Sequence, residues 1–488
     1  MALLKKTNES FIVISALKII VILFALITAT DAASSVETSA ETKPAESAVE
    51  NQIQITLDRA INVALGANRN IIFSANTVAN SELSLEAAES EFGIKFVPTV
   101  GTSVSDTGSA SDTESNLNAK GAVEKKFTFG PKGSMGPRVT RSDSGEYTTG
   151  IGVSLSIPLF KGFGRAYNLN RVDTSNHSLR NSRRSHYLQK DRTAVDTVSA
   201  VYDIVKQEYL ERLYRTQVEM YQGHEKTATI KEKAGLASSI DVYRAKISIK
   251  DAEDNLSRTQ KSLADAKDRL KLILAVPLSM DIKVTAPIEY EPVTLKQEQA
   301  FEIGLANRVE LRQAKDSMDE AIRKSKIAKH SLWPDFNLIM DYERVGTAED
   351  FSQSTDFEEN IWSVSLTGGT SWPRTAEKTA FSQSLISIKT ERLRLELTRD
   401  EIQREVRGQL EVLKEAENSI KIRQEQIKTA EGKLALAKIK FRHAMADNFD
   451  VIESESELEN AKVNLLSART EYIVGTYKMR SVLGTLIQ

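Results

Sequence analysis

A heptad-like spacing of large and small residues occurs twice in this chain and limits its fold more than any other feature. Asp241 and Asp450 precede the two copies, so the offset is 450 − 241 = 209 residues. The first copy comprises Val242, Ala245, Ile249, Ala252, Leu256, Thr259, Leu263, Ala266, Leu270 and Ile273, and the second comprises Val451, Ser454, Leu458, Ala461, Leu465, Ala468, Tyr472, Gly475, Met479 and Val482. Such seams indicate helices whose knobs fill holes on close neighbours. Their repetition indicates an internal duplication, as in helical arrays and tubes, although sustained heptads also suit a simple coiled-coil rod.

The composition excludes several classes of function. The 488 residues include 65 Lys and Arg against 67 Asp and Glu, a formal net charge of −2. A nucleic-acid partner would normally leave a basic stripe, so we expect no binding to nucleic acid. The sequence contains no cysteine, which excludes disulfides, thiolate chemistry and a lipid on an N-terminal cysteine.

The N-terminus has the pattern of a secretory signal peptide. Lys5 and Lys6 precede an apolar run at 19–27, and small residues follow. This predicts a signal peptide over residues 1–33. A single membrane anchor is the alternative, although the run is far shorter than the ~20 residues of a spanning helix. Residues 34–55, rich in Ser, Ala, Glu and Thr, are expected to form a flexible leader.

Four segments alternate apolar and polar side chains with a period of two and are predicted to be strands. They span about residues 92–105, 147–159, 334–345 and 361–369. Their opposite faces are small and neutral, and Trp333, Trp362 and Trp372 lie at or near the second pair, as in the aromatic belt of a membrane barrel. Half-buried strands of a soluble sheet are the alternative. The polar segments 106–145 and 347–360 are predicted to be long, unstructured, outward-facing loops.

The rest of the chain is predicted to form long helices. Three-four apolar spacing continues over roughly residues 168–233 and 374–443, and each helix would extend about 100 Å. The spacing breaks at residues 234–238 and 444–448, immediately before the duplicated helices. Each break is expected to form the tip of a tight helical hairpin, at the end remote from the strands. The two predicted structural repeats are residues 56–285 and 286–488.

The order helix, strand, strand, long helix, tip, helix, given twice, resembles that of the TolC-like outer membrane efflux protein family. The resemblance covers essentially the whole chain after the predicted signal peptide. Its most specific segments are the strand-to-helix corner at 153–160 (VSLSIPLF), the closing run at 477–486 (YKMRSVLGTL), and the residues at 235–236 and 449–451 beside the two tips.

The resemblance implies a mainly α-helical protein with transmembrane β-strands. In this family a homotrimer forms a twelve-strand β-barrel in the outer membrane, continued by a long α-helical barrel across the periplasm. Four strands per chain agree with this, because four strands cannot close a barrel whereas three copies of four can. The implied partners are outer membrane lipid, a periplasmic membrane-fusion adaptor at the tips and an inner-membrane pump.

In function, the resemblance implies a passive exit duct of a tripartite efflux or type I secretion system, with no enzymatic activity and no cofactor. The cargo, whether drug, metal or protein, is left open because generic polar side chains line the predicted lumen. The alternative is a periplasmic coiled-coil structural or adaptor protein without a pore. An adaptor would usually show one helical hairpin, whereas this chain has two, each tied to a strand pair.

The resemblance also implies an acidic gate just above the second tip. The matching positions are Asp450 and Glu453, which share one helix face, with Asp241 at the first tip. In a trimer these carboxylates would surround one axis, attract cations, repel anions and raise one another's pKa values. The alternative is that the aspartates are helix caps, Asp450 together with Asp447 and Asp241 together with Ser238.

The tips are where the resemblance places contacts with the adaptor. The predicted contact residues are Gly235, Leu236, Ala444, Met445 and Ala446. The tyrosine and arginine that latch the closed tip of the family's best-known member align with Phe441 and Ala446, so their bonds to Asp241 cannot form. The closed state is therefore expected to be less strongly latched or to be held by other contacts.

Catalysis and metal binding have little support. The five histidines show no metal-ligand spacing, so no metal site is predicted. Gly162-Phe163-Gly164 lacks the following glycine and the preceding context of a nucleotide-binding loop. These glycines are instead expected to let a strand turn into the long helix.

Overall fold

The computed structural model describes residues 53–106, 113–142, 144–235, 238–443, 445–446 and 448–487. All of them lie in one compact unit, Gln52–Gln488. The predicted signal peptide lies outside the described residues, and so does the predicted leader up to residue 52.

Most of the described residues are helical. In chain order the helices are α1 (Leu57–Ala67), α2 (Arg69–Glu89), α3 (Arg165–Asn168), α4 (Asn170–Lys233), α5 (Ser239–Leu274), α6 (Gln297–Asn307), α7 (Val309–His330), α8 (Phe351–Ser354), α9 (Thr375–Arg442) and α10 (Asn448–Val482). The longest, α4 and α9, have 64 and 68 residues, so each extends roughly 100 Å. Within the described part of the chain, no helix is both long enough and apolar enough to cross a membrane.

Most of the other helices pack on the long helices α4 and α9. Towards the sheet, α2 packs on α4 and α7 packs on α9, whereas towards the tips α5 packs on α4 and α10 packs on α9. The two hairpins meet along α4 and α10. Four helices therefore lie side by side at each level, and α5 and α9 are the outer two at the level of the tips.

The two predicted heptad seams are the buried faces of α5 and α10. The small seam residues Ala252, Ala266, Ser454 and Ala468 are at most 4% exposed. At Gly475 a Cβ atom would lie 2.9 Å from Cδ2 of Leu413 on α9, so the two helix backbones approach closely there. The prediction that both seams pack against close neighbours is confirmed.

Two apolar cores lie where the shorter elements pack on the long helices. One buries Ile282 against Val201 of α4. The other buries Ala300 of α6 and Tyr472 of α10 against Val406 of α9. The first core also includes Ile473 of α10, so it ties the two halves of the chain together.

The strands form two sheets. In the described residues they are β1 (Ile53–Thr56), β2 (Ile94–Asp106), β3 (Thr113–Lys126), β4 (Lys132–Arg141), β5 (Tyr147–Pro158), β6 (Ile282–Thr285), β7 (Asp335–Ala348) and β8 (Glu359–Gly369). β1 and β6 pair in parallel, and the other six form one antiparallel sheet in the order β2-β3-β4-β5-β7-β8. Among the described residues, the outer edges of β2 and β8 pair with no further strand.

The predicted loop at 106–145 is wrong. Most of this segment is the hairpin β3–β4, inserted between β2 and β5, so the sheet has six strands where the sequence predicted four. Glycine, serine, asparagine and threonine interrupt its apolar positions, such as Leu117, Val123 and Val139, and hide the alternation. The other predicted loop, 347–360, contains the single turn α8. The four predicted strands lie within three residues of β2, β5, β7 and β8.

Two glycines form the corner between β5 and the long helix. Gly162 and Gly164 have φ angles of 91° and 102°, which residues with a Cβ atom rarely adopt. The Asn168 side-chain amide donates to the carbonyl oxygens of both glycines, at 2.7 and 3.0 Å. The predicted role of these glycines in turning the strand into the helix is confirmed.

Candidate functional site: the tips of the two helical hairpins

Both helical hairpins turn within a few residues. After α4, Gly235 adopts a φ of 73°, and its N–H donates to the carbonyl oxygen of Glu232 at 2.9 Å. After α9, the N–H of Met445 donates to the carbonyl oxygen of Lys440, also at 2.9 Å. Short hydrogen-bonded turns of this kind satisfy carbonyl groups at the helix ends.

The five residues predicted to contact an adaptor fall into three groups. Gly235 and Met445 are exposed, and Ala446 is half-buried. Leu236 and Ala444 lie outside the described residues. The exposed Met445 is a large apolar side chain at the second tip.

Asp241 acts as a helix cap in the structure. Its carboxylate accepts the N–H of Ser238 at 3.2 Å, while the Ser238 hydroxyl accepts the N–H of Ile240 at 3.3 Å. This reciprocal pair is a capping box, which satisfies donors that the first turn leaves without partners. One carboxylate oxygen of Asp241 is therefore engaged by the start of α5.

Asp450 and Glu453 lie in the first two turns of α10 and are both exposed. The seam residues beside them, Val451 and Ser454, are buried. The two carboxylates thus lie on a different face of α10 from the buried seam. Glu457, one turn further on, continues this acidic row, which we define as Asp450, Glu453 and Glu457.

Lys433 of α9 faces the acidic row. Its Nζ lies 2.7 Å from each carboxylate oxygen of Glu457. Hydrogen bonding to Glu457 raises the pKa of Lys433, and the charges of Glu453 and Asp450 add smaller effects in the same direction. Lys433 therefore partly neutralises the row on which the gate is predicted.

Cation–π contacts join the two hairpins at their tips. The Nζ atom of Lys231 on α4 lies 4.5 Å from the ring centre of Phe441 on α9. The guanidinium carbon of Arg244 on α5 lies 5.7 Å from the ring centre of Phe449 on α10. Phe441, which cannot make the hydrogen bond of a tyrosine, thus still contributes to a contact between the hairpins.

A charged junction lies a few turns above the tips. Glu455 of α10 is 2.8 Å from Nζ of Lys438 on α9 and 3.8 Å from Nε2 of His224 on α4. One carboxylate therefore connects three helices that belong to both hairpins.

Sequence reasoning identified the acidic residues but missed their partners. Glu457 follows Glu453 by four residues, so a longer reading of the same helix face would have found it. Lys433 and Lys231 carry no local signal, because their contacts depend on how separate helices pair. Throughout the described residues, no group of three or more His, Asp or Glu side chains is placed to hold a metal ion.

The six-stranded sheet and the paired helical hairpins together make a fold that solved structures of outer membrane channels share. OprN, an outer-membrane channel, is 14% identical with a TM-score of 0.70, over 88% of this chain and 90% of OprN. The outer membrane channel CmeC of Campylobacter jejuni is 12% identical with a TM-score of 0.69, over 88% of this chain and 86% of CmeC. The outer membrane protein VceC of Vibrio cholerae is 13% identical with a TM-score of 0.66, over 88% of this chain and 96% of VceC.

Part of the sequence also matches a family model. The model of the outer membrane efflux protein family matches residues 71–276. The predicted resemblance to this family is therefore confirmed for residues 71–276, which are less than half of the chain. The predicted outer membrane location and transport role agree with the description of this family. Comparison with curated protein sequences gives no match.

Proposed function

We propose that three copies of this chain form a passive exit duct of a tripartite efflux system. Four helices from each chain would surround a periplasmic tunnel of twelve, and the six-stranded sheets would close a barrel in the outer membrane. An adaptor would bind the hairpin tips, and an inner-membrane pump would supply energy and select the cargo. The description of the family as efflux proteins favours small-molecule efflux over type I protein secretion.

The observation that carries this proposal is that, within the described part of the chain, both outer edges of the main sheet are unpaired. Unpaired edge strands are a liability that closure into a barrel removes. β2 and β8 run in opposite directions, because five antiparallel pairings separate them. β8 of one copy can therefore continue the sheet antiparallel to β2 of the next. The six strands have 10 to 14 residues, enough to cross a bilayer when tilted.

The outer helices support the same assembly. On α5, the exposed side chains of Ile240, Tyr243 and Ile247 follow three-four spacing. On α9, Ile386, Leu393 and Leu397 are exposed with spacings of seven and four. Apolar stripes of this kind are typical of helix faces that pack on a partner. In a ring of three chains, α9 of one copy would lie beside α2 of the next copy towards the sheet and beside α5 of the next copy towards the tips, so neighbouring copies would cover both stripes.

The gate of this duct is proposed at the acidic row. Asp450 and Glu453 are exposed at the start of α10, and three copies would concentrate negative charge around the axis. A ring of carboxylates favours cations over anions. Asp241 is proposed to act mainly as a cap, since the start of α5 already engages its carboxylate. Gly235, Leu236, Ala444, Met445 and Ala446 are proposed as adaptor contacts.

The test is the mass of the native assembly. The full chain would be extracted from outer membranes in mild detergent and weighed by light scattering with the detergent subtracted. A trimer is expected. The double variant Leu393→Asp/Leu397→Asp should weaken it by placing charge in the apolar contact, whereas Arg392→Asp, at a neighbouring exposed position, should leave it intact. A monomeric or dimeric full chain would contradict the proposal.

A further inference from the structure

The inserted hairpin, β3–β4, is built into the sheet along its whole length. β2 pairs with β3 from Ile94↔Lys125 to Asp106↔Thr113, and β4 pairs with β5 from Lys132↔Ser156 to Arg141↔Tyr147. The strands alternate in direction, so β2 and β5 remain antiparallel to each other with or without the hairpin. The insertion therefore adds two strands without changing the topology of the other four.

The hairpin also continues the two-faced polarity of its neighbours. On one face, an apolar row crosses the sheet through cross-strand pairs. The row comprises Phe96, Val123, Met135, Val153, Tyr342 and Trp362. Val123 and Met135 of the hairpin are 41% and 53% exposed, much as Val153 and Tyr342 are at 47% and 48%. This equal exposure indicates that the hairpin presents its apolar side to the same surroundings as the strands beside it, as a barrel wall does.

The other face is polar and is tied across strands. Nε of Arg138 on β4 lies 2.5 Å from a carboxylate oxygen of Glu343 on β7. Gly150 of β5 lies between them, and a Cβ atom there would come within 2.5 Å of the same carboxylate. The absence of a side chain at Gly150 thus lets the ion pair cross β5 on the polar face. This contact joins the hairpin to the second half of the chain.

The turn between β3 and β4 packs against the corner where β5 leads into the long helix. The carbonyl oxygen of Phe129 accepts the N–H of Gly164 at 2.8 Å. Gly130, with a φ of 124°, approaches so closely that a Cβ atom would lie 2.9 Å from Cγ of Pro158. Lys126 reaches Glu91, beyond the end of α2, at 2.5 Å. These contacts fix the turn of the hairpin at the base of the sheet, which is not expected of a loose surface loop.

We propose that the outer membrane barrel of this protein has eighteen strands, six from each of three chains, rather than the twelve that four strands per chain predict. This inference rests on the proposed trimer. With strands about 4.8 Å apart and tilted by about 40°, a closed barrel of eighteen strands has a radius of about 18 Å, against about 12 Å for twelve. Barrels of this strand number leave an aqueous channel.

The wider barrel fits the tunnel below it. Twelve helices packed 8–10 Å apart form a ring with a radius of roughly 15–19 Å at the helix axes. An eighteen-strand wall would therefore be about as wide as the tunnel. The outer membrane segment would not be the narrowest part of the duct, so the tips alone would restrict passage.

The test measures distances between copies with a spin label. The chain has no cysteine, so Val364→Cys on the apolar face of β8 gives one labelling site per copy. In a threefold barrel, equivalent Cα atoms are about 31 Å apart for eighteen strands and about 21 Å apart for twelve, and the label adds a similar length in each case. Deletion of residues 113–141 leaves the antiparallel β2 and β5 free to pair and should shorten the measured distance by about 10 Å.

The outcomes separate this inference from the proposed function. A trimer with the shorter distance in the full chain would overturn the eighteen-strand barrel and leave the duct intact. If the full chain gave no measurable distance between labels on different copies, both the eighteen-strand barrel and the trimeric duct would be overturned. Should the deletion variant fail to fold, Ser134→Cys and Met135→Cys in the full chain give a second measurement. A label at 134 should be reached by a water-soluble relaxing agent and one at 135 by oxygen dissolved in lipid, whereas equal access to water would place the hairpin outside the wall.

Discussion

Nζ of Lys231 lies 4.5 Å from the ring centre of Phe441 and connects the end of α4 to the end of α9. This contact can hold the two hairpins together at the tips, where the family resemblance predicts that the family's latch cannot form. A cation–π contact at a partly exposed site contributes about 0.5–1 kcal/mol. Such a contribution per chain would shift an equilibrium between closed and open tips without fixing it in one state.

Loss of this contact should open the tip more often. We expect Lys231→Met and Phe441→Leu each to raise the resting conductance of reconstituted channels about two- to fivefold, the factor that 0.5–1 kcal/mol gives. Phe441→Tyr keeps the ring and should behave as the original chain. Lys226→Met, an exposed lysine earlier on α4, is the matched control. Equal conductance in all four variants would show that the contact between Lys231 and Phe441 does not stabilise the closed tip.

Installing the missing latch residue should act in the opposite direction. Ala446→Arg places a guanidinium at the second tip, at the position that the family resemblance assigns to the latch arginine. We expect the resting conductance of single channels in planar bilayers to fall. An unchanged conductance would mean that the contacts already present, including that of Phe441, set the closed state.

The acidic row should determine the charge selectivity of the duct. Asp450→Asn together with Glu453→Gln removes two carboxylates per copy, so the preference for cations, measured by reversal potentials in a salt gradient, should fall severalfold. Lys433→Gln should raise the preference, because Lys433 partly neutralises the row. The control is Glu425→Gln on α9, whose carboxylate pairs with Lys428 on the exposed surface. If Glu425→Gln changed the selectivity as much as the change at Asp450 and Glu453 does, a gate at the acidic row would be contradicted.

The sequence predicted the long helices and four of the strands because their patterns are strong. Val451 and Ser454 are buried where the heptad spacing places them, and Leu338 and Met340 alternate as β7 requires. The hairpin β3–β4 was missed because Gly121, among other small and polar residues, dilutes its alternation. Its place in the sheet depends on pairing with distant strands, which a single-sequence pattern does not report.

At the tips, the acidic residues were predictable from the sequence, but their contacts were not. Asp450 and Glu453 stand out from their spacing and from the family resemblance. The ion pair of Lys433 with Glu457 joins residues 24 positions apart on two helices, and the register of those helices decides it. Likewise, the aromatic residue at 441 was recognised as a departure from the family, but its cationic partner on α4 appears only in the packed structure.

Acid should weaken the ion pair between Lys126 and Glu91, which holds the base of the inserted hairpin. Its hydrogen bond from Lys126 holds the pKa of Glu91 below the ordinary value of 4.5. Glu91 takes up a proton more readily in the unfolded chain, so its contribution is complete above pH 4.5 and is lost as the pH falls through the lower folded value. Lys126→Met should therefore lower the apparent unfolding temperature by up to about 3 °C at pH 7. The difference should shrink at pH 3, and Lys120→Met is the control.

Close packing of the helices makes Gly475 intolerant of side chains. A Cβ atom there would lie 2.9 Å from the buried Leu413, so Gly475→Ala should cost about 1–2 kcal/mol through overpacking and Gly475→Leu more. Gly408 on α9 is the matched control, since a Cβ atom there would meet nothing within 4 Å. Gly408→Ala should be neutral or stabilise by about 0.4–1 kcal/mol, because alanine restricts the unfolded chain. The apparent unfolding temperature of the assembly in detergent measures both, and equal effects at the two glycines would contradict the close approach of α9 and α10.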